Sequence, residues 1–211
     1  MIEKILKILE KEYKNWNSPV KEFIDISKKN NFQILVATFL SSRTKDETTI
    51  KVVKKFFKLI ETPEDVLKLA DKIEDLIYPV GFYRTKAKRL IEIAKILKEK
   101  YNSKVPDNIN ELLKLPGIGR KIANIILYRC YGVKVISVDT HVHRISNRLG
   151  FVKTKYPEET EIELSKILWE EWWGKYNEIL VAFGQAICKP VSPKCSICPV
   201  EKYCPKIGVK K

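Results

Sequence analysis

What this chain has little of narrows it first. Its 211 residues include only eight glycines, two histidines and one methionine. No run of 18 residues is continuously apolar, which argues against a membrane-spanning helix and a membrane partner. The N-terminus, MIEKILKILEKEYKNW, mixes acids with its apolar residues and has no small-residue cleavage site. It reads as a helix rather than a signal peptide. Without an export signal the five cysteines are expected in the reducing cytoplasm, as metal ligands or buried thiols rather than disulfides. Acid is also in deficit: 26 Asp and Glu against 40 Lys and Arg give a net charge of +14. That excess favours a polyanionic partner, with nucleic acid leading and a lysine-rich solubilising surface as the alternative.

What is present is almost entirely helical patterning, with enough chain for one large domain or two small ones. Ile2, Ile5, Leu6, Leu9 and Tyr13 mark one helical face. FQILVATFL (32–40) is a buried helix or a buried strand; its apolar run does not say which. Residues 45–60 and 85–101 read as amphipathic helices. TPEDVLKLA (62–70) starts with an N-cap threonine and a proline at the first helical position. Further helices are expected over 107–115, 120–131, 157–173 and 175–187, with one strand-like piece, VKVISV, at 133–138.

LPGIGRKIANIIL (115–127) joins two of these helices through a glycine turn. Gly117 and Gly119 permit positive φ and remove Cβ bulk, so backbone N–H groups can approach a phosphate at the positive end of the second helix. Arg120 adds charge there. The bland alternative is an αα-hairpin whose glycines serve only the turn. Lys121 sits in the first turn beside Arg120. A neutral amine can form a Schiff base; a second phosphate clamp is the simpler role.

VDTHVHR (138–144) places Asp139 before an apolar-periodic helix, where it can serve as an N-cap. An ionised carboxylate there could also deprotonate Lys121 or stabilise a developing cation. His141 and His143 are two residues apart and share no helical face, which argues against a metal pair. In the tail, Cys188, Cys195, Cys198 and Cys204 form C-x6-C-x2-C-x5-C, dense enough for one metal centre. The spacing leaves zinc and iron–sulfur both open, and the prolines after Cys198 and Cys204 tilt towards iron–sulfur. Lys189 and Lys194, between the first two ligands, could contact phosphate. Cys130 reads as a buried core thiol.

LPGIGRKIAN, VDTHVHR and the four-cysteine tail, in this order and at these separations, resemble the endonuclease III family of DNA glycosylases/AP lyases. The resemblance implies an all-α, helix–hairpin–helix glycosylase fold of two helical domains. One is a six-helix domain over 22–133; the other joins 1–21 to 134–211 and carries a [4Fe–4S] loop at 188–204. By motif position Lys121 is the nucleophile, Asp139 the catalytic carboxylate and the four cysteines the cluster ligands. The implied partner is double-stranded DNA with damaged bases or abasic sites, bound by a monomer. Ser41 and Arg43 in LSSRTKD (40–46) fall where the family fills the hole left by a flipped nucleotide, with Arg43 in place of glutamine. Phe82 in GFYRTKA (81–87) matches an apolar wedge. Gly117, Gly119, Arg120, His141, Lys189 and Lys194 complete the implied DNA contacts. A mismatch glycosylase of the same fold and a non-catalytic DNA-binding protein with a structural metal centre are the alternatives.

Overall fold

The computed structural model describes residues 1–26 and 30–209. Helix α1 (Ile2–Tyr13) opens the chain and α2 (Pro19–Ile26) follows it. The chain divides into two compact units, Glu22–Val133 and Met1–Lys21 with Lys134–Lys211.

The unit Glu22–Val133 is built around α3 (Asn31–Ser41). Every residue from Phe32 to Leu40 is buried, including Gln33 and Thr38. An apolar run of this length cannot alternate faces as a half-exposed strand does, and a helix apolar all round belongs inside. The arbitrating signal is Asn30, whose Oδ1 accepts the Gln33 N–H at 2.8 Å as an N-cap. Around α3 lie α4 (Asp46–Phe56), α5 (Pro63–Lys68), α6 (Ile73–Ile77), α7 (Tyr83–Tyr101), α8 (Ile109–Leu112) and α9 (Arg120–Tyr131). Seven α-helices, α3 to α9, thus begin in this unit among the described residues. The short helices α5, α6 and α8 are one or two turns each. Thr62 and Asp65 close a reciprocal capping box on α5. Helices α4 and α9 pack on α3, and α7 packs on α5 and α6.

The other unit packs α1 and α10 (Thr140–Arg148) against α12 (Lys175–Ala186), with α11 (Pro157–Ile167) against α10. Ile5, Leu6 and Leu9 are fully buried, as the helical face in the sequence requires. Trp16 and Phe183 stack with centroids 5.4 Å apart. The buried Tyr176 hydroxyl pairs with Ser146 Oγ at 2.9 Å. The expected helix over 157–173 ends at Ile167, and a short 3₁₀ turn at Glu170–Trp172 follows.

VKVISV forms no strand, and no strand occurs among the described residues. A strand needs a partner ladder, and no ladder forms among the described residues. Ile136, Ser137 and Val138 are instead buried without regular structure, and Asn177 Nδ2 donates to the Ser137 carbonyl at 3.0 Å.

Because α3 has no solvent face, truncating it leaves a cavity. Leu35→Ala should cost about 3 kcal/mol. Chemical denaturation followed by far-UV circular dichroism checks this, since the four tryptophans (16, 169, 172 and 173) all lie in the other unit. A cost below about 1 kcal/mol would contradict the packing described.

Candidate functional site

The PGIG turn links α8 to α9 in the unit Glu22–Val133. Leu112, Leu115 and Ile118 are buried and anchor it. Gly117 needs to be glycine on two counts. Its φ is +82°, and a Cβ there would lie 3.0 Å from Phe39 Cε2 and 3.1 Å from Arg89 Cδ. Gly119 differs from expectation: it is the N-cap of α9 at φ −91°, so only Gly117 uses the left-handed region. A Cβ at Gly119 would meet nothing within 4 Å. Its lack of a side chain therefore serves the surface and not the turn, keeping the start of α9 bare. No side chain caps α9. Arg120 is exposed and Lys121 half-buried in this first turn. Buried Ile122 and Ala123 fix the helix face beside them.

Asp139 belongs to the other unit. It is the N-cap of α10, its Oδ1 accepting the Val142 N–H at 2.8 Å. Val142 is fully buried, so the carboxylate is anchored from below. The two histidines diverge, as their spacing requires. His141 Nδ1 lies 3.2 Å from Arg144 Nη2, whereas His143 Nδ1 pairs with Thr160 Oγ1 at 2.7 Å. His141 faces α12 at Gly184, where a Cβ would fall 2.4 Å from its Nδ1.

Arg43 and Phe82 come together within the unit Glu22–Val133. The Arg43 guanidinium stands 5.7 Å from the Phe82 ring centroid, both side chains are exposed, and both residues have left-handed backbone, φ 52° and 59°. That conformation costs a non-glycine residue about 1–2 kcal/mol. Ser41 is half-buried, with its hydroxyl donating to the Thr38 carbonyl at 2.8 Å.

The four tail cysteines, none of them in a disulfide, line one pocket with Arg148, Phe183, Ile187 and Val200. Burial pushes the Cys198 thiol up to about 11 and raises Cys204 too, the neighbouring cysteines adding to both. Four thiolates in such a pocket require a cation among them. Four thiols lining one pocket offer the soft donor set that an iron–sulfur cluster takes. The surroundings also donate to sulfur: Arg148 Nη1 lies 3.6 Å from Cys188 Sγ, and the Lys206 N–H 3.4 Å from Cys204 Sγ. Residues 188–204 therefore fit an iron–sulfur cluster. Lys189 and Lys194 are exposed on the loop between the first two ligands.

Three functional-looking side chains escaped the sequence reading. Arg148, only 7% exposed, donates to the Lys189 and Pro190 carbonyls at 2.6 and 2.8 Å. Arg144 donates to the Cys188 carbonyl at 2.9 Å. Together they strap the cysteine loop to α10. Lys86 is 5% exposed despite lying in a lysine-rich helix. Nothing in one sequence marks a buried lysine among surface lysines. A cationic residue reaching back from α10 to a distant loop is equally silent.

Comparison with known proteins places these features in a family. Residues 36–172 match the HhH-GPD superfamily of base excision DNA repair proteins, and residues 188–204 match the iron–sulfur binding domain of endonuclease III. Endonuclease III of Thermotoga maritima is 51% identical over 174 residues, 82% of each chain. A non-covalent endonuclease III–DNA complex superposes with a TM-score of 0.87 at 35% identity, covering 97% of this chain and 94% of that one. A trapped endonuclease III–DNA covalent intermediate superposes with a TM-score of 0.86 at the same identity and coverage. With its all-α fold, its hairpin and its iron–sulfur segment, the chain belongs to the endonuclease III family of base-excision DNA glycosylases/AP lyases, which carry a [4Fe–4S] cluster.

Proposed function

We propose that this enzyme removes oxidised pyrimidines of the thymine glycol type from double-stranded DNA, using Lys121 as a Schiff-base nucleophile. The observation that carries the reading is Lys121 itself, in the uncapped first turn of α9 behind a bare glycine turn. The likeness to a trapped endonuclease III–DNA covalent intermediate supports covalent chemistry at such a lysine. Phosphate binds at the N-terminus of α9 beside Gly117, Gly119 and Arg120 and positions the backbone without reading sequence. Lys189 and Lys194 add phosphate contacts, as does His141 near the start of α10. The enzyme acts as a monomer inside the cell.

The target nucleotide leaves the stack, since its sugar is unreachable within the duplex. Lys121 Nζ, as the free amine, attacks C1′. The glycosidic bond breaks, and the base departs with the electron pair and takes up a proton. Asp139, held ready as an N-cap, stabilises the positive charge on the sugar. Ring opening gives a protonated imine between Lys121 and C1′, which acidifies the C2′ protons. Loss of one of these expels the 3′ phosphate by cleavage of the C3′–O bond, so the strand is cut 3′ to the lesion. Water then hydrolyses the imine and frees Lys121. Cys188, Cys195, Cys198 and Cys204 would hold the cluster, which when bound would support the loop carrying Lys189 and Lys194.

Arg43 fills the gap left by the extruded nucleotide, and Phe82 stacks as a wedge. A guanidinium can donate two hydrogen bonds to guanine, which favours G opposite the lesion. This departure from the family glutamine keeps a second reading in view, a mismatch glycosylase. Lys121 argues against it, because such relatives typically lack a lysine at this position.

Borohydride should trap a covalent complex with a duplex containing one thymine glycol, and Lys121→Ala should abolish the adduct while retaining DNA binding. If no adduct forms with binding intact, the lyase reading fails for that lesion, and T:G duplexes are then the substrates to try. Asp139→Asn separates capping from charge, because asparagine caps as well as aspartate. It should melt like the native protein yet react about 10²–10³-fold more slowly. Lesion:G duplexes should be processed faster than lesion:A duplexes, and equal rates would remove the role given to Arg43. Cys198→Ser should lose the brown iron–sulfur absorbance and bound iron, and a variant retaining both would contradict the ligand set.

A further inference from the structure

The segment from Ser41 to Thr44 is a type II turn. Ser42 has φ −57° and ψ 127°, Arg43 has φ 52°, and the Thr44 N–H donates to the Ser41 carbonyl at 3.1 Å. This turn prefers glycine or asparagine at its third position, where Arg43 stands. Some neighbour must therefore hold the Ser42–Arg43 peptide in its flipped orientation. That neighbour is Lys86, in the first turns of α7. Its Nζ donates to the Leu40 carbonyl at 2.8 Å, the Ser42 carbonyl at 2.5 Å and Thr44 Oγ1 at 3.1 Å. These three bonds use all three donors of an ammonium.

Capping the end of α3 would need only the Leu40 carbonyl. Lys86 reaches past it to the Ser42 carbonyl, the group whose direction distinguishes a type II from a type I turn. A type I turn would point this carbonyl away from the ammonium and return Arg43 to negative φ. The clamp extends to the second loop. Thr44 Oγ1 also accepts the Gly81 N–H at 3.1 Å, and Phe82 follows directly as the left-handed N-cap of α7. Gly81 lies so close that a Cβ would sit 2.6 Å from the Arg43 carbonyl. One buried cation thus sets the backbone under both Arg43 and Phe82, whose side chains stack on each other.

We propose that Lys86 is a positioning residue that locks the turns carrying Arg43 and Phe82 into one prearranged DNA-contacting pair. The DNA role of that pair rests on the function proposed above; the clamp itself rests on the hydrogen bonds. Arg43 alone is a flexible side chain on a turn it disfavours. Held by Lys86, it meets the duplex already stacked on Phe82, so binding need not order it.

Two measurements on Lys86→Met test this. The first is hydrogen–deuterium exchange of the full protein, where the amides of Thr44 and Gly81 should exchange about tenfold faster or more. Exchange within about twofold of native at both amides would overturn the proposal. The second is the affinity for duplexes with a tetrahydrofuran abasic site opposite G or A, for the native protein, Lys86→Met, Arg43→Ala and the double variant. Lys86→Met should weaken binding about tenfold and reduce the G-over-A ratio to that of Arg43→Ala, with the double variant no weaker than Lys86→Met. Losses that add in full, or a native ratio in Lys86→Met, would overturn it. If Arg43→Ala binds both duplexes like the native protein, the reading of Arg43 fails, and the exchange measurement alone decides the clamp. If Lys86→Met does not fold, Gly81→Ala replaces it, because its methyl forces the same two turns apart. It should show the same loss of ratio, and native behaviour would count against the proposal.

Discussion

The burial of α3 on every side is the constraint on which the unit Glu22–Val133 depends. A helix with no solvent face can be placed in only one way, and its neighbours inherit that precision. Its Phe39 ring sits where only glycine at position 117 can pass, which fixes how the PGIG turn meets the core. Helix α9, which starts at Arg120 and Lys121, packs along it. At the end of α3 the Leu40 and Ser42 carbonyls accept from the Lys86 ammonium, and the Arg43 turn follows at once. Lys121 and the Arg43–Phe82 pair therefore share one rigid reference.

The other unit uses α10 in a similar way. Its first residue position is capped by Asp139, and its far end carries the buried Arg148 that grips the loop after Cys188. Helix α12 comes so close at Gly184 that a Cβ there would lie 2.4 Å from His141 Nδ1 and 3.1 Å from Arg144 Nη2. The Asp139 carboxylate and the cysteine loop thus hang on one short helix. The guanidinium groups of Arg144 and Arg148 tie the small, irregular tail that bears the four cysteines to this helix.

Much of this was written in local sequence. The α1 face, the Thr62 capping box, the start of α9 and the Asp139 cap all follow from patterns within a few residues. The cysteine spacing likewise marked a metal centre without reference to anything distant. VKVISV shows the limit. Its β-branched alternation is a local preference, and a strand is a pairing; burial and a hydrogen bond from Asn177 to the Ser137 carbonyl took its place. Gly119 shows a finer limit, since both glycines of the turn permit positive φ and only one uses it.

The sequence by itself determined the helices, the hairpin, the candidate nucleophile and carboxylate, and the cysteine set, because caps, turns and ligand spacings are short-range chemistry. The tertiary structure alone decided which lysine is buried, which arginines strap the cysteine loop and which residues stack as Arg43 and Phe82 do. Lys86 lies more than 40 residues from the carbonyls it binds, and Arg148 a similar distance from the loop it holds. No local preference encodes a hydrogen bond across such a separation; only the packing of whole helices brings its two ends together.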